Sequence, residues 1–387
     1  MGTRLETEAI STIGGYGPWA ATLAGEGPGS LSFRRAEFTD LDGWRSQARQ
    51  RVYERLAQPD TGGTPQVRVE RQYLYDGLHI EELSWQLPYG PRTQAIFLKP
   101  AAAQGPLPGV VALHDHGGQK YFGGIKICQT SDNPHPVVVE HQRRSYGGLA
   151  WANELAKRGY AVLAPDAFAF GSRRILPEEV IEPIRNQVQD GDLGDPASIA
   201  AYNQWAAGHE HILAKSLFSA GATWPGVFSA EDQAALDVLC ARPDVDASRV
   251  GCGGLSGGGL RTVFLAGLDS RIRCAVCAGM MTTWRDYLLN KCHTHTWMCY
   301  VPLLPRELDY PEILGLRAPL PTLVQNNNED PLFTLPEMQR ADAILGEVFA
   351  KAGASDHYRC SYYPGPHKFD AEMQAEAFDW FDRWLKQ

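Results

Sequence analysis

The feature that most constrains the fold is a rhythm. Short apolar runs alternate with segments whose apolar residues recur at helical spacing. GVVALHDHGG (109–118), YAVLAPDAF (160–168), RVGCGGLSGGG (249–259), RCAVCAGMM (273–281), PTLVQNN (321–327) and HYRCSYYPG (357–365) read as buried strands. Between them the pattern predicts five helices. They are 147–159, a helix capped by Ser229 and Asp232 that ends before Pro243, one from the 256 turn to about Ala266, one over about 336–351, and 370–385. Strands that are apolar throughout and separated by helices imply a mostly parallel sheet covered on both faces, an α/β architecture. Ahead of this rhythm, 67–74, 78–86 and 93–99 read as an antiparallel meander.

Residues 1–65 read as an N-terminal extension. Within it Thr39 and Asp42 form a capping pattern, and Leu41, Trp44, Ala48, Val52 and Leu56 fall at the spacing of a helix docked on the main body. The main domain is 66–387, interrupted at about 172–227 by a polar segment expected to be a lid-like insertion over the carboxyl edge of the sheet. With 387 residues, 44% of them hydrophobic, the chain can bury a large core. A net charge of −9 disfavours nucleic acid and anionic membrane as partners. There is neither a signal-peptide pattern at the start nor an apolar run long enough to span a bilayer. Eight scattered cysteines read as reduced core residues, so a cytoplasmic location is expected; homo-oligomerisation is left open.

Gly254-Leu255-Ser256-Gly257-Gly258 fits G-x-S-x-G and sits between a buried strand and a helix. That context predicts a strained turn that presents Ser256 as a nucleophile at a helix N-terminus. A serine hydroxyl needs a base, and His367 follows the last strand. The base needs an orienting acid, and Asp330 follows the strand before it. Glu329 is the neighbouring rival; Asp330 is preferred because it directly precedes Pro331 at the turn. Two N–H donors must face the developing oxyanion. The amide of Gly257 is one, and the loop His114-Asp115-His116-Gly117-Gly118 supplies the other, with Gly117 preferred over Gly118.

Together HDHGG, the 146–174 stretch from YGG to FGSRR, GLSGGG, NEDPLF and YPGPHKFDAEM resemble the dienelactone-hydrolase and acetyl-xylan-esterase-like branch of the α/β-hydrolases, over roughly 66–387. The resemblance implies an α/β-hydrolase catalytic domain that cleaves short acyl esters, with a small-molecule ester as its partner. Dienelactone hydrolases proper use a cysteine nucleophile, so Ser256 disfavours dienelactone itself. The serine, histidine and acid together predict a carboxylic ester hydrolase working through an acyl-enzyme. An amide or carbon–carbon bond hydrolase on the same triad is the alternative, and a lyase or non-catalytic member of the fold is a further one. The substrate pocket is expected from His116, Trp284, His293 and Trp297. Three histidine groupings (His114 with Asp115 and His116; His209 with His211; His293 with His295) carry residue types that can ligate a metal. They are read as structural or pocket residues, so neither metal nor cofactor is expected. Cys274 and Cys277 should point to opposite faces of one strand.

Overall fold

The computed structural model describes residues 11–25, 27–185 and 194–387. Nine strands form one sheet in the order β1-β2-β3-β5-β4-β6-β7-β8-β9. They are β1 (Arg68–Tyr75), β2 (Leu78–Trp85), β3 (Thr93–Pro100), β4 (Leu107–Ala112), β5 (Ala161–Pro165), β6 (Val245–Leu255), β7 (Ile272–Ala278), β8 (Thr322–Asn327) and β9 (Tyr358–Tyr363). β1 to β3 form the antiparallel meander, β3 joins β5 antiparallel, and every pairing from β5 to β9 is parallel.

The helices are α1 (Gly17–Ala24), α2 (Leu41–Leu56), α3 (Pro136–Tyr146), α4 (Trp151–Lys157), the short α5 (Glu182–Arg185), α6 (Pro196–Ser219), α7 (Trp224–Cys240), α8 (Gly257–Leu268), the single turn α9 (Trp284–Asp286), α10 (Tyr310–Gly315), α11 (Leu335–Lys351) and α12 (Ala371–Leu385). The sheet divides the apolar interior in two. Val111, Cys252, Cys277 and Val324 face α2, α7, α8 and α11 on one side. Val110, Cys274, Val276 and Leu323 face α4 and α12 on the other. Cys274 and Cys277 therefore lie on opposite faces, as period-two geometry requires.

Four local expectations are corrected. The helix docked by Trp44, Ala48, Val52 and Leu56 is capped by Asp40 rather than Thr39, because the Asp40 carboxylate accepts the amides of Asp42 and Gly43 at 3.1 Å each. The expected helix over 147–159 is the shorter α4, and α3, which the sequence reading did not predict, precedes it. Gly147, with φ of 65°, caps α3, and a new helix begins at Trp151. Ser229 and Asp232 cap nothing: α7 begins two turns earlier at Thr223, whose hydroxyl accepts the amide of Gly226, and both residues lie buried inside the helix. The segment 172–227 is not polar throughout. It contains α6, which buries Tyr202, Trp205 and Glu210, and it runs on into the buried start of α7.

Candidate active site

Ser256 lies between β6 and α8, at φ 57° and ψ −117°. Few non-glycine residues adopt this backbone, and it stores strain. Its amide donates to the carbonyl of Ala278 at 2.9 Å, tying the turn to the end of β7. Glycine is required on both sides: a Cβ at Gly254 or Gly258 would stand 2.1 or 2.0 Å from the carbonyl oxygen of Leu113, beyond the end of β4. Gly257 opens α8, so its N–H has no partner within the helix.

Asp330 follows β8, with its side chain closed to solvent. Its Oδ2 accepts a 2.6 Å bond from Nδ1 of His367, and its Oδ1 accepts the amide of Leu332 at 2.9 Å. Glu329, beside it, is exposed. His367 lies beyond β9. A Cβ at Gly279 would meet its Cε1 at 2.9 Å, so the ring rests one residue past the Ala278 carbonyl that holds Ser256. With Nδ1–H given to Asp330, Nε2 carries the lone pair; it is buried and unpartnered among the described residues.

The loop after β4 is braced residue by residue. His114 accepts the Ala167 amide at Nε2, and Asp115 Oδ1 accepts from Tyr146 at 2.6 Å and His141 at 3.0 Å. His116 accepts the Gly118 amide at Nδ1, 3.1 Å away, and donates from Nε2 to Glu210 of α6 at 2.7 Å. Burial lowers the pKa of His116, in keeping with this neutral tautomer. Gly118 has thus spent its N–H inside the loop. His116 and Gly117 keep theirs free among the described residues, and a Cβ at Gly257 would stand 2.7 Å from the backbone nitrogen of His116. Gly117 has φ of 52°, and a Cβ there would fall 2.2 Å from Oδ2 of Asp115, so the loop admits only glycine at this position.

Two side chains at this loop were missed in the sequence. Lys126, fully buried, donates to the carbonyls of Asp115, His116 and Gln119. Burial draws its ammonium down to about 8. Its only signal is a lysine inside the otherwise apolar run FGGIKIC. Glu210 lies between His209 and His211 in the sequence. Burial opposes its charge, but the bonds from His116 and Lys120 outweigh burial and hold its carboxyl at about 2.

The expected pocket residues scatter. His116 braces the loop through its ring. Trp284 is buried, donates to the Leu308 carbonyl at 3.1 Å and lines an apolar cavity of about 360 Å³ between α1 and the 284–306 segment, with Leu23, Tyr287 and Tyr300. His293 is exposed, Trp297 is 40% exposed, and neither lines that cavity. His295 is the neighbour that turns inward. It bonds to the carbonyl of Leu332 at 2.8 Å and packs on Tyr287 and Phe333. His209 stacks on Trp205 while His211 is exposed, so that pair does not converge. Among the described residues no group of three His, Cys, Asp or Glu is arranged to hold a metal ion.

No family model matches the chain. It is 28% identical over 309 residues to YtaP of Bacillus subtilis (strain 168), a provisionally assigned hydrolase; the match covers 79% of this chain and 88% of YtaP. Among solved structures it is similar to a provisionally assigned acetyl xylan esterase from Bacteroides fragilis, with a TM-score of 0.65 at 15% identity, covering 94% of this chain and 84% of that one. It is also similar to a glucuronoyl esterase from Solibacter usitatus, with a TM-score of 0.59 at 17% identity, covering 92% and 97%. The mostly parallel nine-stranded sheet, the strained turn at its centre and these likenesses agree: the chain has the α/β-hydrolase fold.

Proposed function

We propose that this chain hydrolyses carboxylic esters, with Ser256 as nucleophile, His367 as general base and Asp330 as the acid that orients it. The observation that carries the reading is the Asp330–His367 bond of 2.6 Å beside a serine held in a strained strand-to-helix turn. That bond fixes the imidazole tautomer and leaves a basic Nε2 buried beside the turn. The esterase names of the structural neighbours support it.

In the proposed reaction the Oγ of Ser256 attacks the ester carbonyl carbon while Nε2 of His367 takes its proton. The carbonyl oxygen becomes an oxyanion, met by the amide of Gly257 and by an amide of the 114–118 loop, Gly117 or its neighbour His116. Collapse breaks the ester C–O bond, and the imidazolium returns its proton to the departing alcohol. Water, deprotonated by the same nitrogen, then attacks the acyl-serine; collapse breaks the acyl–Oγ bond and releases the acid, and the imidazolium returns the proton to Oγ of Ser256. No step calls on a metal or cofactor.

A fluorophosphonate probe followed by peptide mapping tests the assignment. Label at Ser256, with turnover of p-nitrophenyl acetate lost in Ser256→Ala, is the expected result; label at another serine overturns it. Among the described residues no helix is long and apolar enough to cross a membrane. All eight cysteines are free, which supports the proposed cytoplasmic location.

A further inference from the structure

An ammonium in a protein interior is costly unless its donors are satisfied. Lys126 is fully buried, and it directs its donors at three backbone carbonyls of one loop: Asp115, His116 at 3.2 Å and Gln119 at 3.2 Å. The carboxylate of Asp115 is 3.8 Å away. In a trans peptide the C=O and the following N–H point in opposite directions. Turning the Asp115 carbonyl onto Lys126 therefore turns the His116 amide away from it. The His116 carbonyl does the same for the Gly117 amide. Both amides are without a hydrogen-bond partner among the described residues, and the nitrogen of His116 lies against Gly257, whose own amide opens α8.

The loop is also held by α6. Asn203 Oδ1 accepts the amides of Lys120 and Tyr121 at 2.8 and 2.9 Å, and its Nδ2 donates to Gln119 at 2.6 Å. Seven residues on, two turns along the same helix face, Glu210 takes the His116 ring at 2.7 Å and pairs with Lys120 at 2.7 Å. Lys126 and α6 thus both hold the loop, while the His116 and Gly117 amides stay free among the described residues.

We propose that Lys126, with Asn203 and Glu210 of α6, sets the oxyanion-binding shape of the 114–121 loop. They are positioning residues, and the segment inserted between β5 and β6 is then a working part of the active site rather than a cover over it. The proposal rests on the esterase reading above. Lys126→Met keeps the apolar stem and frees the three carbonyls. Because amide donors act on the oxyanion and not on the ground-state carbonyl, the loss should fall on kcat, by roughly 10²- to 10³-fold, with KM little changed.

The test measures p-nitrophenyl acetate turnover per active site, titrated with a fluorophosphonate, and the affinity of a trifluoromethyl ketone that forms a hemiketal oxyanion. Wild type, Lys126→Met, Glu210→Ala and Asn203→Ala are compared, each with its melting temperature. The expected result is a parallel loss of kcat and ketone affinity in Lys126→Met and a smaller one in the two α6 variants. A role in folding alone would lower the melting temperature and the titre but leave kcat per site intact, and that result overturns the proposal. If Lys126→Met does not fold, the α6 variants decide it: wild-type kcat per site and wild-type ketone affinity in both would overturn it. Wild type that neither turns over ester nor labels at Ser256 would instead overturn the esterase reading, and this proposal with it.

Discussion

Nδ1 of His367 and Oδ2 of Asp330 are 2.6 Å apart, and the other oxygen of that buried carboxylate is held by the amide of Leu332. The acid can neither rotate nor be reached by water. Asp330→Asn would place an amide NH₂ or a weaker acceptor against Nδ1 and favour the wrong tautomer. It should lower kcat by a factor on the order of 10³ to 10⁴ with KM little changed. Glu329→Gln, at an exposed site, should stay near wild type. Steady-state kinetics on p-nitrophenyl acetate would check the pair, and the reverse ranking would move the orienting role to Glu329.

His295 is drawn down to about 4 by burial between Tyr287 and Phe333. A histidine whose folded pKa lies below its unfolded value near 6.5 binds its proton more readily when unfolded. Its contribution to stability is therefore complete above about pH 6.5 and is lost as pH falls toward 4. A shift of this size corresponds to a few kcal/mol, at about 1.4 kcal/mol per pH unit. Urea denaturation at a series of pH values should show wild type losing stability across this window and His295→Gln losing less. Parallel curves would count against the assignment.

Arg261, one turn into α8, and Asp232 of α7 form a buried ion pair, with Nη2 2.5 Å from Oδ1 and Nε 3.0 Å from Oδ2. Asp232→Ala would strand a guanidinium behind the Ser256 turn and should cost about 3 to 5 kcal/mol. Replacing both partners, as Asp232→Leu with Arg261→Met, should recover most of that, since neither charge then remains to be desolvated. Denaturation midpoints of the three variants would show it; a double variant as weak as the single one would refute it.

The sheet and the Ser256 turn were legible because both are written locally: a buried strand has an apolar run, and the turn has glycines where Leu113 leaves no room for a Cβ. Cys274 and Cys277 followed from strand period alone. What failed depended on partners distant in the chain. Asp232 resembled a cap, but its partner, Arg261, is 29 residues away. The face that α3 buries includes His141, Gln142 and Ser145, so its pattern carried little apolar signal. Lys126 had no neighbouring acid to advertise it, because its partners are carbonyls. In 280–300 the aromatic residues were visible, but which of them turn inward is set by the short turns from Trp284 onward, and it is His295 rather than His293 that does so.

Short acyl chains should be preferred. Met280 follows β7, lies against Gly259 three residues past Ser256, and is buried, as is Met281 beside it. Bulky side chains there should shorten the acyl cleft. Each methylene that still fits should gain up to about 0.8 kcal/mol, and the first that does not should lose more than that through overpacking. Along a p-nitrophenyl series from acetate to decanoate, kcat/KM should peak within the first few members. A steady climb through octanoate would point to a lipid-like substrate instead.

The backbone of Ser256 carries a last consequence. At φ 57° and ψ −117°, a chain shaped by thermal endurance alone would do better with glycine there. Alanine would carry the same strain as serine, so Ser256→Gly should outlast Ser256→Ala by about 1 kcal/mol even after glycine's larger entropy of unfolding. That difference measures what the fold gives up to hold a hydroxyl at this point; on the role proposed for Ser256, position 256 is one where durability is surrendered for chemistry.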